Sequence, residues 1–457
     1  MSLRLLIIGT AALSIGLSCA SVADEAPATE LTGSPAADIR WPWLIGEQYT
    51  FIVQNQSSLH SPYQGPLSLK PNGDTQPTDT IGFYGGWAIT NWAQLYLDTE
   101  KFMGAGVSNS TGLGGLTNGD VVREGANSLP KRFYIARVFL RFMLPLGPQL
   151  AKFDAAQDQI AGTEATTRLE FKVGRVAVND DFDKNRYAAN ARTEFLNWSL
   201  WDNTAWDYAA DTRGYTDGFV IGYISPLWSL KFGEYLMPQH ANGQPLEESF
   251  SRAHGDNLEL TLAPGSSGTV VRFLAYENTA RMGIYEDAIA FAAERGTRPN
   301  IVADDAEGRK KYGFGINGEQ PLADDGDTGV FARLGWNDGK TESFAFTEVD
   351  RLVSFGGQLS GAHWGRTTDQ VGAAVVIEGL SAPHREYLAA GGAGFLLDDG
   401  RLNYAHEQIL ETYYRLQLPW QWARLQLSPD IQYIRNPGFN ADRGPVWFFG
   451  LRFHAEH

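Results

Sequence analysis

Apolar and polar positions alternate through segments of about ten residues, which are joined in turn by a long polar loop and a tight corner. Near the C-terminus one parity reads Leu410, Thr412, Tyr414, Leu416 and Leu418, and the other Glu411, Tyr413, Arg415 and Gln417. Beyond the Pro419–Trp420 corner, Ala423, Leu425, Leu427, Ile431 and Tyr433 alternate with Arg424, Gln426, Ser428, Asp430 and Gln432. A period of two puts each set on its own face of a strand, one oily and one wet. About sixteen such segments can be placed, from Glu47–Ser57 to Pro445–Ala455. Long links fall at Ser58–Thr78, Met103–Lys131, Ala177–Tyr215, Met237–Gly255, Asn278–Lys310 and Leu380–Tyr404. Short ones lie between them, although Pro145–Ala165 is too long for the tight turn expected there. The pattern predicts an all-β protein: a transmembrane, antiparallel, up-and-down β-barrel with long extracellular loops and short periplasmic turns.

The N-terminus agrees with that destination. Arg4, an apolar run from Leu5 to Leu17 and Ser21-Val22-Ala23 read as a secretory signal peptide over residues 1–23. A short periplasmic segment, 24–45, and a barrel, 46–457, are expected to follow. The one cysteine, Cys19, lies in the leader, so the mature chain is expected to have no disulfide or thiolate metal site. Loss of Arg4 takes the net charge from −16 to −17, which argues against nucleic acid as a partner. Tryptophans add an independent signal. Trp41, Trp43, Trp87, Trp92, Trp228, Trp364, Trp420 and Trp422 sit at the short-turn ends, with Trp336 and Trp447 at the other, as in the aromatic girdles of membrane barrels.

Parity also sorts the charges. In Arg132–Leu144, Ala136, Val138, Leu140 and Phe142 share the expected lipid face, leaving Arg137 and Arg141 inside. In Thr166–Val176, Leu169, Phe171 and Val173 face out while Arg168, Glu170 and Lys172 face in. By the same rule Arg272, Arg333, Arg415 and Arg424 point inward. A charge on the lipid face at the midplane would cost about 2–4 kcal/mol. Guanidinium groups offer planar donor forks to a polar solute, and carboxylates offer acceptors. The long loop Ala177–Tyr215 combines Asp180, Asp181, Asp183, Arg186, Arg192, Glu194, Asp207, Asp211 and Arg213 with Trp198, Trp201, Trp206 and Tyr208. So many rings in one loop imply that it folds into the barrel and narrows it.

Several segments together resemble the carbohydrate-selective porins of the OprB type. They are His60-Ser61-Pro62-Tyr63-Gln64-Gly65-Pro66, Asp183-Lys184-Asn185-Arg186-Tyr187, Glu194-Phe195-Leu196-Asn197-Trp198 and Asp207-Tyr208-Ala209-Ala210-Asp211. The series continues with His384 to Gly392, Asp399 to Tyr404 and Asn440-Ala441-Asp442-Arg443-Gly444-Pro445. The resemblance spans about Leu44 to the C-terminus and implies a sixteen-stranded outer-membrane barrel. Its narrowed, arginine-lined lumen would pass small carbohydrates by facilitated diffusion, with outer-membrane lipid and lipopolysaccharide around it. A homotrimer is an analogy with general porins. His457 stands where the family usually ends on an aromatic residue.

Two rival readings belong to other classes: a barrel-embedded hydrolase and a secreted soluble carbohydrate-binding β-protein. Clustered carboxylates could serve hydrolysis, and Asp180-Asp181-x-Asp183 could ligate calcium but lacks the spacing and glycine of a calcium loop. Ser381, His384 and Asp399 could form a triad, yet no Gly-x-Ser-x-Gly elbow surrounds the serine. The glycine-rich Gly112–Gly119 lacks the Gly-Lys-Ser/Thr of a phosphate loop. No catalytic residue, metal or cofactor is therefore expected.

Overall fold

In hydrocarbon a strand has no water to satisfy its backbone, so a sheet can cross a bilayer only by closing on itself. The computed structural model describes residues 42–124, 129–345 and 347–457; the leader, the N-terminal tail and Trp41 lie outside them. The wall begins with β1 (Trp43–Gln56), β2 (Asp74–Thr90), β3 (Ala93–Met103) and β4 (Tyr134–Pro145). A small hairpin, β5 (Leu150–Phe153) and β6 (Gly162–Ala165), pairs only with itself. The wall resumes with β7 (Arg168–Val176), β8 (Thr216–Ile224), β9 (Trp228–Leu236), β10 (His254–Leu262), β11 (Val270–Met282) and β12 (Ala306–Ala323). It ends with β13 (Thr328–Asn337), β14 (Arg351–Ser360), β15 (Gln370–Gly379), β16 (Glu407–Leu418), β17 (Arg424–Arg435) and β18 (Val446–Glu456). Sixteen strands form the closed antiparallel barrel, and β1 pairs with β18 in the register Phe51↔Phe453. β1 starts at Trp43, so residues 43–45 already belong to the wall.

The exposure pattern is the inverse of a soluble protein's. Phe355 (58%), Leu410 (46%) and Phe449 (47%) are bare on the outside, while Glu411 and Arg452 inside are buried. A sealed oily interior between two sheets, as a soluble β-protein would need, is not what these strands make. Trp92, Trp228, Trp364, Trp420 and Trp422 are exposed at the short-turn end, where Trp43 stacks on Trp87 at 5.2 Å.

One parity assignment is corrected. Ala136 does not face lipid: it is fully buried against Ala177 and Tyr215. The β3–β4 register slips between Asp98↔Arg137 and Thr99↔Ile135, so one extra residue of β4 is accommodated there. Such a bulge shifts the alternation by one position, leaving Ile135 outside and Ala136 inside. Arg137, beyond the bulge, still points inward. The link after β4 is also not a plain turn, because it carries the β5–β6 hairpin.

Placing arginine at Phe355, on the outer face of β14, should cost about 2–4 kcal/mol. Urea titration of the protein folded into vesicles should show a lower midpoint than wild type; an unchanged midpoint would mean that this face does not meet hydrocarbon.

Candidate channel and its charged lining

The inward faces of β10 to β18 carry polar groups that need partners, and the segment between β7 and β8, residues 177–215, supplies them largely from its backbone. Glu259 accepts from the Asp183 N–H (2.7 Å) and Glu319 from the Arg186 N–H (2.8 Å). Glu411 accepts from the Leu196 and Asn197 N–H groups. Arg333, 1% exposed, donates to the Asp183 carboxylate (2.8 Å) and to the carbonyls of Leu200 (3.0 Å) and Ala188 (2.6 Å). Arg452 caps the carbonyls of Ala191 and Glu194, and Arg415 donates to that of Thr193. Apolar residues fill between these ties: Phe195 meets Tyr413 edge-on at 5.0 Å, and Phe182 lies between Trp206 and Tyr235. A single helical turn, α1 (Trp198–Trp201), is capped by Asn197, whose side chain accepts from the Ser199 N–H. The segment runs deep. Tyr187 OH donates to the carbonyl of Gly326 and Arg186 to that of Asp325, in the short turn between β12 and β13.

A second inserted segment, 104–124, was not foreseen. Its Gly119 N–H donates to Leu196 O (2.7 Å), and its Leu116 O accepts from the Trp198 N–H (2.8 Å). Glycine is required at 119, because a Cβ there would lie 2.2 Å from Trp201 Nε1. The run Gly112–Gly119 thus serves a close backbone approach rather than a phosphate loop.

Packing on the β10–β18 side leaves open space beside β3, β4, β7 and β9. A cavity of about 590 Å³ there is lined by Arg137, Arg141, Glu170, Lys172 and Arg192, with Trp198 and Trp201. An outer vestibule of about 420 Å³ lies next to it, and Phe102, Val122 and Arg213 line both. Each cation is held by carboxylates. Arg137 forks onto Asp180 (2.7 and 2.9 Å), Arg141 onto Glu164 (2.6 and 2.9 Å) and Glu170 (2.7 Å), Lys172 onto Asp181 (2.9 Å), and Arg192 onto Asp120 (2.7 Å) and Glu100 (2.9 Å).

The remaining sequence candidates lie off this cavity. Asp183 and Arg333 pair with each other beneath the 177–215 segment. Arg186 reaches the β12–β13 turn, and Glu194 accepts from the Ala189 and Asn190 N–H groups within its own loop. Trp206 is 1% exposed and donates to Asn257, while Asp207 accepts from Phe344 and Ala345 and pairs with Lys311 at 3.1 Å. Arg272 pairs with Glu319 (3.1 Å) and Arg168 with Glu170 (2.9 Å); Arg424 is largely exposed at the rim near Glu456. Lining residues that were overlooked include Glu100 and Lys231, both of which obey the parity rule, and Gln157–Gln159 of the hairpin, which has no alternation to follow. The aspartates of the calcium-like run go to three different cations, Arg137, Lys172 and Arg333.

Residues 89–456 match the family described as carbohydrate-selective porin, OprB family. The chain belongs to that family. It is therefore a sugar-selective channel of the outer membrane. Among solved structures, Pseudomonas putida OprB in its high-pH form shares the fold: TM-score 0.65, 16% identity, 91% of this chain and 94% of that one covered. The outer-membrane channel DcaP of Acinetobacter baumannii superposes more loosely, at TM-score 0.47, 8% identity and coverage of 91% and 97%. OmpT of Vibrio cholerae does so at 0.45, with 12% identity and coverage of 94% and 100%. No curated protein sequence gives a match. Family and fold are those of channel proteins.

Ser381 Oγ accepts from the His384 N–H (3.2 Å), but Ser381, His384 and Asp399 make their side-chain bonds to other partners. Ser381 Oγ donates to Gly339 O (2.6 Å), Asp399 pairs with Arg443, and His384 turns to Asp350 (3.0 Å) and Glu348 (3.6 Å). His384 lies in α3 (Ala382–Ala389), stacked at 4.4 Å on Tyr285, which opens α2 (Tyr285–Arg295) of another extracellular loop. Burial would lower its pKa, but Asp350 and then Glu348 outweigh it, and the value is pushed up to about 9.

Two outcomes follow from these contacts. Arg333→Ala strands a buried carboxylate and two carbonyls, at a cost of about 3–5 kcal/mol. Its urea midpoint should fall and its single-channel current become noisier as the 177–215 segment loosens; a quiet channel of wild-type stability would contradict the anchoring role. For His384 the folded-state pKa is raised, so its stabilisation is full below about pH 6.5 and is lost as pH climbs through about 9. Hydrogen exchange of residues 380–404 should accelerate from pH 6 to pH 9.5 beyond the intrinsic rate, and His384→Gln should abolish that excess.

Proposed function

We propose that small sugars diffuse passively through the vestibule and the cavity beside β3, β4, β7 and β9, without energy coupling. Arg137, Arg141, Glu170, Lys172 and Arg192 supply the hydrogen bonds, and Trp198 and Trp201 the apolar ring contacts. The observation that carries this reading is the cavity wall, where these five charged side chains, each already countered, stand beside two indoles. Countered charges offer donors and acceptors to a neutral polyol while exerting little net pull on an ion. An indole offers the flat face on which a sugar's C–H surface packs. Asp183, Arg333, Asp207, Arg186, Glu194, Arg415, Trp206 and Arg272 serve instead to hold the packed half of the lumen in place, and Arg168 and Arg424 to pair charges near the rim. The bare outer band meets outer-membrane lipid and lipopolysaccharide.

Reconstituted liposomes should swell in an isosmotic monosaccharide faster than empty ones; impermeability to every neutral solute would overturn the proposal. Trp198→Ala should weaken sugar block of the ion current about two- to tenfold, the equivalent of losing about 0.5–1.5 kcal/mol of ring contact.

A further inference from the structure

The links at the short-turn end are brief: 91–92, 225–227, 324–327 and 419–423, with 263–269 and 361–369 somewhat longer. The link 146–167 is the exception, and it does not hang into the periplasm. It rises from the rim as the β5–β6 ladder, closed at its tip by reciprocal bonds between Ala156 and Gln159 (3.1 and 3.0 Å). Asp158 takes the left-handed conformation (φ 58°) that so tight a corner demands and that aspartate tolerates. The tip then bonds to inward-pointing groups of three wall strands. Gln157 donates to Asp98 of β3 (2.6 Å) and accepts from Gln48 of β1 (3.0 Å), and Asp158 lies 3.4 Å from Arg137 of β4. Ile160, 5% exposed, donates its N–H to Tyr96 OH (3.3 Å) and packs over Gly86, where a Cβ would come within 3.2 Å of it. Lower down, Glu164 grips Arg141 with both oxygens.

Gln157, Asp158 and Gln159 therefore line the same cavity as the arginines. Asp158 and the two glutamines border the open space, while Asp98 lies behind them, held by Gln157. The neutral side-chain amides of Gln157 and Gln159 each offer donors and an acceptor, the pairing that the hydroxyl groups of a polyol require.

We propose that the 146–167 hairpin is the inner filter of the channel. Its Gln157–Asp158 tip forms a second sugar subsite beside Arg137, and the hairpin sets the largest sugar that can leave toward the periplasm. This rests on the sugar-channel reading above, and the test separates the two. Residues 147–166 are replaced by Asn-Gly, which joins the paired ends of β4 and β7 by a two-residue turn. Liposome swelling is then compared across mono-, di- and trisaccharides, normalised to heat-modifiable folded protein. The shortened protein should admit the trisaccharide at least threefold faster relative to the monosaccharide than wild type does, and its ion conductance should rise severalfold. In the full-length chain, Gln157→Ala and Asp158→Asn should each weaken sugar block at least threefold and leave the folded yield unchanged. If the shortened protein does not insert, these two variants decide alone. Monosaccharide passage by wild type, together with an unchanged size limit and unchanged block in the variants, overturns the hairpin's role only. A wild type that passes no sugar overturns both readings.

Discussion

The structure depends on one requirement: polar groups turned inward by the strand alternation must find partners in a space that wall side chains alone do not fill. Water could meet that need, but along β10 to β18 it is met by the backbone of residues 177–215. Arg333, Glu411, Glu259 and Arg452 all bond to main-chain atoms of that segment, so its path is fixed by the wall rather than by its own helical or strand propensity. The aromatic residues pack afterwards into whatever the polar ties leave. This explains how a segment with only one short helical turn is nonetheless deeply buried.

Filling one side of the lumen creates the route on the other. The cations of β4, β7 and the inserted segment do not face open water singly; Arg137 has three carboxylates to answer it, and Arg141 and Arg192 have two each. Held in this way, the guanidinium planes keep fixed directions, which a passage needs if it is to distinguish the spacing of hydroxyl groups rather than only diameter. The partners come from strands, loops and the hairpin alike, so the shape of the passage is a property of the whole barrel.

The wall was legible because lipid on one face and polar matter on the other impose a period of two. That rule placed Arg137, Arg141, Glu170 and Lys172 correctly with respect to the wall. It failed at Ala136, where a bulge inserts a residue without any mark in composition. Depth inside the lumen was not legible: parity says that Arg333 and Arg141 both point inward, but not that one is sealed under a loop while the other borders a cavity. The roles of Gly112–Gly119 and of residues 146–167 depend on contacts distant in sequence, with Trp201 and with Asp98, which no local pattern reveals.

Tyr187 and Arg186 touch the turn at Asp325–Gly326 although they belong to a connection that starts and finishes at the cell exterior. That connection is consequently an internal strut traversing the thickness of the bilayer. Phage tails and antibodies, which meet only the outward tips, have no means of reaching its middle. Pressure from such agents can reshape the outer tips of this protein while its central stretch stays answerable to the barrel alone.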